Sequence, residues 1–211
     1  MNLRTLHRQD GFSLVELAMV LLIVGLLLGG LVPTISSQIE QQRTNETRKQ
    51  LEEIKQALTG FVVVNGRLPC ADTNSNGEED SPCTTAATAE GLLPWKSLGV
   101  AQQDAWQQEW RYRAHRNFSQ SFTLTTDFTT GFTDNLIVQN NAGTALTSAA
   151  ERPIAIVYSL GENLVADGQN ASDSYNETYQ SDVPSSAFDD IAIWLSRPGL
   201  FNRMVKAGKL P

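Results

Sequence analysis

Histidine and cysteine are nearly absent from this chain of 211 residues, which has two of each. The histidines are His7 and His115, and neither belongs to a His-Glu-x-x-His pair. A zincin-type centre is therefore excluded. No glycine-rich phosphate loop and no Gly-x-Ser-x-Gly elbow accompanies a candidate base, so the patterns that announce an enzyme are missing. Positive charge is also in short supply, with 16 Lys and Arg against 23 Asp and Glu. A net charge of −7 disfavours nucleic acid and anionic lipid as the main partners. The one basic strip is Arg111, Arg113 and His115, followed by Arg116. On a strand the first three share a face, and the expectation is a solvated sheet face, with DNA contact as the lesser alternative.

Cys70 and Cys83 are too few for a tetrahedral zinc site without neighbouring His or Cys. A disulfide between them is expected if this part of the chain enters an oxidising compartment. It would close a loop worth on the order of 3 kcal/mol in the chain-entropy account.

What the chain does have is an apolar run. Leu17 to Val32 carries no charge, and one carboxylate, Glu16, stands at its start. Phe12 to Val32 is 21 residues, about 31 Å as a helix, enough to cross a hydrocarbon core. Arg4 and Arg8 precede it, which keeps the N-terminus cytoplasmic and places the body on the far side. A secretory signal peptide would need a small-x-small cleavage site after the run, and Leu31-Val32-Pro33-Thr34-Ile35 lacks one. A carboxylate at membrane depth is costly and needs a partner. Cutting between Gly11 and Phe12 creates one, the new α-amine of Phe12.

Gly11-Phe12-Ser13-Leu14-Val15-Glu16, the apolar run and Pro33 resemble the type IV pilin and pseudopilin family. The resemblance is strong over residues 8–65 and weaker beyond. It implies a leader, residues 1–11, removed after Gly11 by a prepilin peptidase that also methylates the amine of Phe12. It implies a single-pass inner-membrane subunit with a periplasmic globular domain. Such subunits leave the membrane for a helical filament, joined to copies of themselves and other pilin-like subunits and served by a secretion or pilus assembly platform. Glu16 is then the subunit-assembly residue, and the role is structural rather than enzymatic. Losing the leader, whose Arg4, Arg8 and Asp10 sum to +1, takes the net charge from −7 to −8.

Past Pro33, which is expected to kink the helix, Leu51, Ile54, Leu58 and Phe61 recur at helical spacing with charges between them, and Asn65-Gly66 stops the pattern. One helix is expected from Phe12 to Val64, with residues 12–33 as membrane or filament-core half and residues 34–65 as amphipathic half. Two helices joined around Ser36-Ser37 are the alternative. Residues 66–211 form the globular domain. Within it, Arg67 to Val100 reads as an irregular connector, and strands are expected at Trp110–Ala114, Phe122–Thr126, Leu136–Gln139, Ile154–Ser159 and Ile191–Leu195. A last helix is expected from Pro198 to Lys206. The fold class is α+β, a long helix on a small, mostly antiparallel sheet. Of Trp95, Trp106, Trp110 and Trp194, two or three should be core.

Two acidic segments are candidate calcium sites. Asp72, Asn74 and Asn76 followed by Gly77, with Asp80 beyond, copy the first half of an EF-hand loop. Cys83 stands where the bidentate Glu belongs, and an Asx-rich turn is the competing reading. The second is Ser159-Leu160-Gly161, Ala166-Asp167-Gly168 and Phe188-Asp189-Asp190, similar to the C-terminal region of the major pseudopilin of type II secretion. That resemblance implies Asp189 and Asp190 as calcium ligands, with Asp167 and carbonyls near Leu160. An insertion from Asn170 to Ser186, carrying Asp173, departs from it. The function expected is therefore a filament subunit of a type II secretion pseudopilus or a minor type IV pilin. The alternative is a tip subunit whose Asn, Ser and Thr-rich loops bind an adhesion target, a secreted substrate or DNA.

Overall fold

The computed structural model describes residues 11–123, 125–126, 131–132, 134–171 and 175–210, and within the long helix the side chains of residues 28–35 lie outside that description. The leader residues 1–10 and Asp173 also lie outside it. The chain divides into two units, residues 1–42 and 43–211.

Helix α1 (Leu14–Asn65) is continuous over 52 residues and contributes to both units. Two separate helices around Ser36-Ser37 are thereby excluded. In the first unit, Phe12 to Leu27 present large apolar side chains that are exposed. Among the described residues no helix is long and apolar enough to cross a membrane, and the side chains of residues 28–33 of the expected span fall outside the description.

The second unit is layered. Leu51, Ile54, Leu58 and Val62, spaced by three and four, are buried along one face of α1. They join Tyr112, Ala114, Ala155, Val157 and Leu195 of a four-stranded sheet, and Leu200 and Met204 of a terminal helix, in one core. That sheet runs β1 (Glu90–Leu92), β2 (Arg111–Ala114), β4 (Pro153–Ser159) and β6 (Ile191–Ser196), antiparallel throughout. The terminal helix is α4 (Arg197–Lys206), while α2 (Ala86–Ala89) and α3 (Trp95–Leu98) are single turns.

The opposite face of the sheet is covered as well. A two-stranded parallel sheet, β3 (Ile137–Gln139) with β5 (Thr178–Gln180), lays Leu136, Val138 and Tyr179 against Ile156 and Tyr158. This explains why all seven residues of β4 are buried. Alternate side chains of that strand enter opposite cores.

Several expectations are corrected. The connector from Arg67 to Val100 contains α2, β1 and α3. No described residue of Phe122–Thr126 is in a strand, and Leu124 lies outside the description. The segment from Asn163 to Ser186 holds β5 and a 3₁₀ turn at Gly168–Ala171. Only Trp110 of the four tryptophans is fully buried.

The largest correction concerns the basic strip. Arg111 is exposed, but Arg113 is 1% exposed and His115 is buried. The second layer brings the buried Asp134 to them, with its carboxylate 3.4 Å from Arg113 and 2.8 Å from Arg116 Nε. Burial opposes the Asp134 charge, but the hydrogen bonds from Arg116 outweigh it and hold the carboxyl below its usual range. Burial pushes His115 down to about 4, so the imidazole is neutral at physiological pH. From Arg113 to Arg116 the strip is an ionic seam with Asp134 and not a solvated face, while Arg111 stays at the surface.

Candidate functional site

Two places on the chain carry chemistry. The first is the N-terminal segment. Gly11, Phe12 and Ser13 precede α1, and Glu16 lies in its first turn among exposed apolar side chains. A carboxylate in the first turn suits the positive end of the helix dipole. Its amide faces the Ser13 hydroxyl at 3.4 Å. Among the described residues the side chains beside Glu16 on the helix, Leu14, Val15 and Leu17, are apolar and exposed.

The second lies where β4 ends and β6 begins, with Ser159 paired to Ile191. After β4 the chain turns at Gly161, whose φ of +66° leaves room for the Asp189 backbone that a Cβ would strike. The turn then folds onto the aspartate pair through reciprocal hydrogen bonds. Asn163 N–H donates to Asp189 Oδ2 at 2.8 Å, and its side-chain amide donates to both oxygens of Asp167. Asp189 N–H donates to Asp167 Oδ2, and Asp167 N–H to Asp190 Oδ2, both at 2.9 Å.

The result is a group of three carboxylates, Asp167, Asp189 and Asp190, whose ligand oxygens lie within 4.8 Å of one another. Asp190 is 3% exposed. Oδ1 of Asp189 and Oδ1 of Asp190 are buried and accept no hydrogen bond among the described residues. Burial, and then the charges of Asp167 and Asp189, push Asp190 up to about 6 despite the donors from Asp167 and Asn170. Asp189 is raised by burial and by its contact with Asp167. Orphaned buried carboxylate oxygens next to like charges are relieved by a cation or by a proton. The donors are all hard oxygens, a set that suits calcium or magnesium rather than zinc. The cluster could hold a metal ion.

The structure thus gathers Asp167 with Asp189 and Asp190 across the insertion. The segment from Asp72 to Asp80 behaves differently. Asp72 is buried and accepts backbone N–H groups from Asn74, Asn76 and Gly77, while Asn74 accepts from Asn76 and Asn76 from Glu78. Asp80 binds Thr73 and the Asn74 amide. The Asp72, Asn74 and Asn76 oxygens form successive Asx turns, and Asp80 closes the loop back onto Thr73 and Asn74. Cys70 and Cys83 form a disulfide. Asn163 and Asn170 at the second place went unrecognised in the sequence, where they read as ordinary loop amides.

Comparison with known families decides what the first segment is. Residues 6–32 match the family described as the prokaryotic N-terminal methylation motif. The chain carries the type IV pilin and pseudopilin signature. That signature supports a pilin-like or pseudopilin subunit, and it implies cleavage by prepilin peptidase and assembly with other pilin subunits. No curated protein and no solved structure matched the chain.

Proposed function

We propose that this chain is a filament subunit of a type II secretion pseudopilus or a minor subunit of a type IV pilus. The observation that carries the reading is the methylation motif at residues 6–32 with Glu16 set in an exposed apolar helical surface. Prepilin peptidase cuts after Gly11, and the N-terminal half of α1 anchors the subunit in the inner membrane, with residues 66–211 in the periplasm. The Phe12 amine of an incoming subunit pairs with Glu16 of one already in place. In a low-dielectric setting, pairing relieves a charge that is costly alone, so a correctly seated neighbour is favoured over lipid. Asp167, Asp189 and Asp190 hold calcium, which offsets their mutual repulsion and fixes the end of the domain.

Mass spectrometry of the mature protein tests the first step and should find Phe12, N-methylated, at the N-terminus. Glu16→Val should leave cleavage and membrane insertion intact while cysteine cross-links between neighbouring α1 helices disappear. Normal cross-linking in that variant defeats the pairing mechanism, and a retained leader in the working protein defeats the whole reading.

A further inference from the structure

The small second sheet needs outside support. A two-stranded sheet of three-residue strands is marginal by itself. Part of its support is apolar, through Leu136, Val138 and Tyr179. The rest is polar and centres on Asn170, which is 4% exposed and lies in the 3₁₀ turn at Gly168–Ala171. Its side-chain carbonyl accepts Gln180 N–H at 2.8 Å, and its amide donates to Gln180 C=O at 3.1 Å. Asn170 therefore satisfies both backbone groups of the last residue of β5, as a neighbouring strand would. Gln180 answers with its own side chain, which accepts Gln169 N–H and packs where a Cβ on Gly168 would sit.

The side-chain amide of Asn170 also donates to Asp190 Oδ2 at 2.9 Å. The two oxygens of Asp190 are thus divided. Oδ2 serves Asn170 and the Asp167 amide, while Oδ1 is buried with no partner.

We propose that Asn170 is a positioning residue that couples the acidic cluster to the second sheet, so that a divalent cation at Asp167, Asp189 and Asp190 orders β5. The inference rests on the ion reading of the cluster. An ion taken up through the unpartnered Oδ1 fixes Asp190 in position, and the bond from Asn170 to its Oδ2 then holds Gln180. Without the ion, the buried Oδ1 of Asp190 has nothing to hold it, and the grip on β5 loosens. Local order of this kind is measured by amide exchange.

The test uses the full chain in detergent micelles, with calcium chloride or with EDTA, and follows hydrogen exchange at Thr178–Gln180, with residues 51–62 of α1 as internal control. Calcium should slow exchange in β5 about tenfold or more, the factor that about one charge-assisted hydrogen bond supplies, and leave the control unchanged. Asn170→Leu, close in volume, and Asn170→Ala should still bind calcium by calorimetry but lose the slowing. Calcium binding to the wild type with no slowing in β5 overturns the coupling alone. Slowing of full size in both variants overturns the role of Asn170. No binding at all overturns the ion reading and the coupling with it. If a variant fails to fold, the wild-type comparison still decides the coupling.

Discussion

Asp190→Asn should lose most of its stabilising effect when calcium is added. Without divalent ions, the carboxyl is raised from 3.8 to about 6 by burial and neighbouring carboxylates. A carboxyl whose folded value lies above its unfolded one takes up protons on folding, so it favours the folded state below about pH 4 and loses that favour as pH rises to about 6. The span of roughly two pKa units corresponds to about 3 kcal/mol lost by pH 7. The substituted amide has no charge to lose. It keeps an oxygen for the Asn170 and Asp167 donors and places an NH₂ group beside the oxygens of Asp167 and Asp189. In EDTA the variant should gain on the wild type as pH rises from about 4 to 7, ending more stable by up to about 3 kcal/mol. His115 titrates with the opposite slope over much of this range, which is why the difference between the two proteins, not either curve alone, is diagnostic. With calcium at about one hundred times its dissociation constant, the wild type gains about 2.7 kcal/mol that the variant lacks, and the gap nearly closes. Urea unfolding at several pH values with and without calcium measures both arms. A variant that is equally destabilised with and without calcium, at every pH, refutes the reasoning.

Other sites yield simpler expectations. Asp134→Ala leaves Arg113 buried without its carboxylate and should cost about 3–5 kcal/mol, read from the denaturant midpoint. Glu79 binds the Arg67 guanidinium at 2.6 and 2.7 Å and accepts Cys70 N–H at 3.0 Å, so Glu79→Gln should cost about 1.5–3 kcal/mol. These bonds overcome burial and hold Glu79 below its usual value. Its contribution is therefore complete above that value and fades as pH falls further, a fading the variant should not show. Cys83→Ser, or reduction of the wild type, should lower stability by about 3 kcal/mol in the same assay.

The sequence made α1 and β4 legible for a simple reason. Leu51, Ile54 and Leu58 keep a helical period, and the run from Ile154 to Tyr158 is apolar enough to need cover on both faces. β1 and β5 were hidden because Glu-Gly-Leu and Thr-Tyr-Gln are too short to show a period of two. The basic strip alternated as a strand should, yet its surroundings were misread, since Asp134 reaches it from 18 residues beyond Arg116. The aspartates were readable through family resemblance. Asn163 and Asn170 were not, because each acts through a fold-dependent hydrogen bond to a residue 20 or more positions away.

The seam of Arg113, Arg116 and Asp134 has a consequence for how such a chain can change. Grease between two layers tolerates gradual exchange of one methylene for another, but opposite charges sealed from water, as Arg113 and Asp134 are, do not. Any lineage that reshapes the outer layer must either keep these three positions intact or replace them together in apolar form. Engineering of the loops around the second sheet should treat Asp134 as a fixed post.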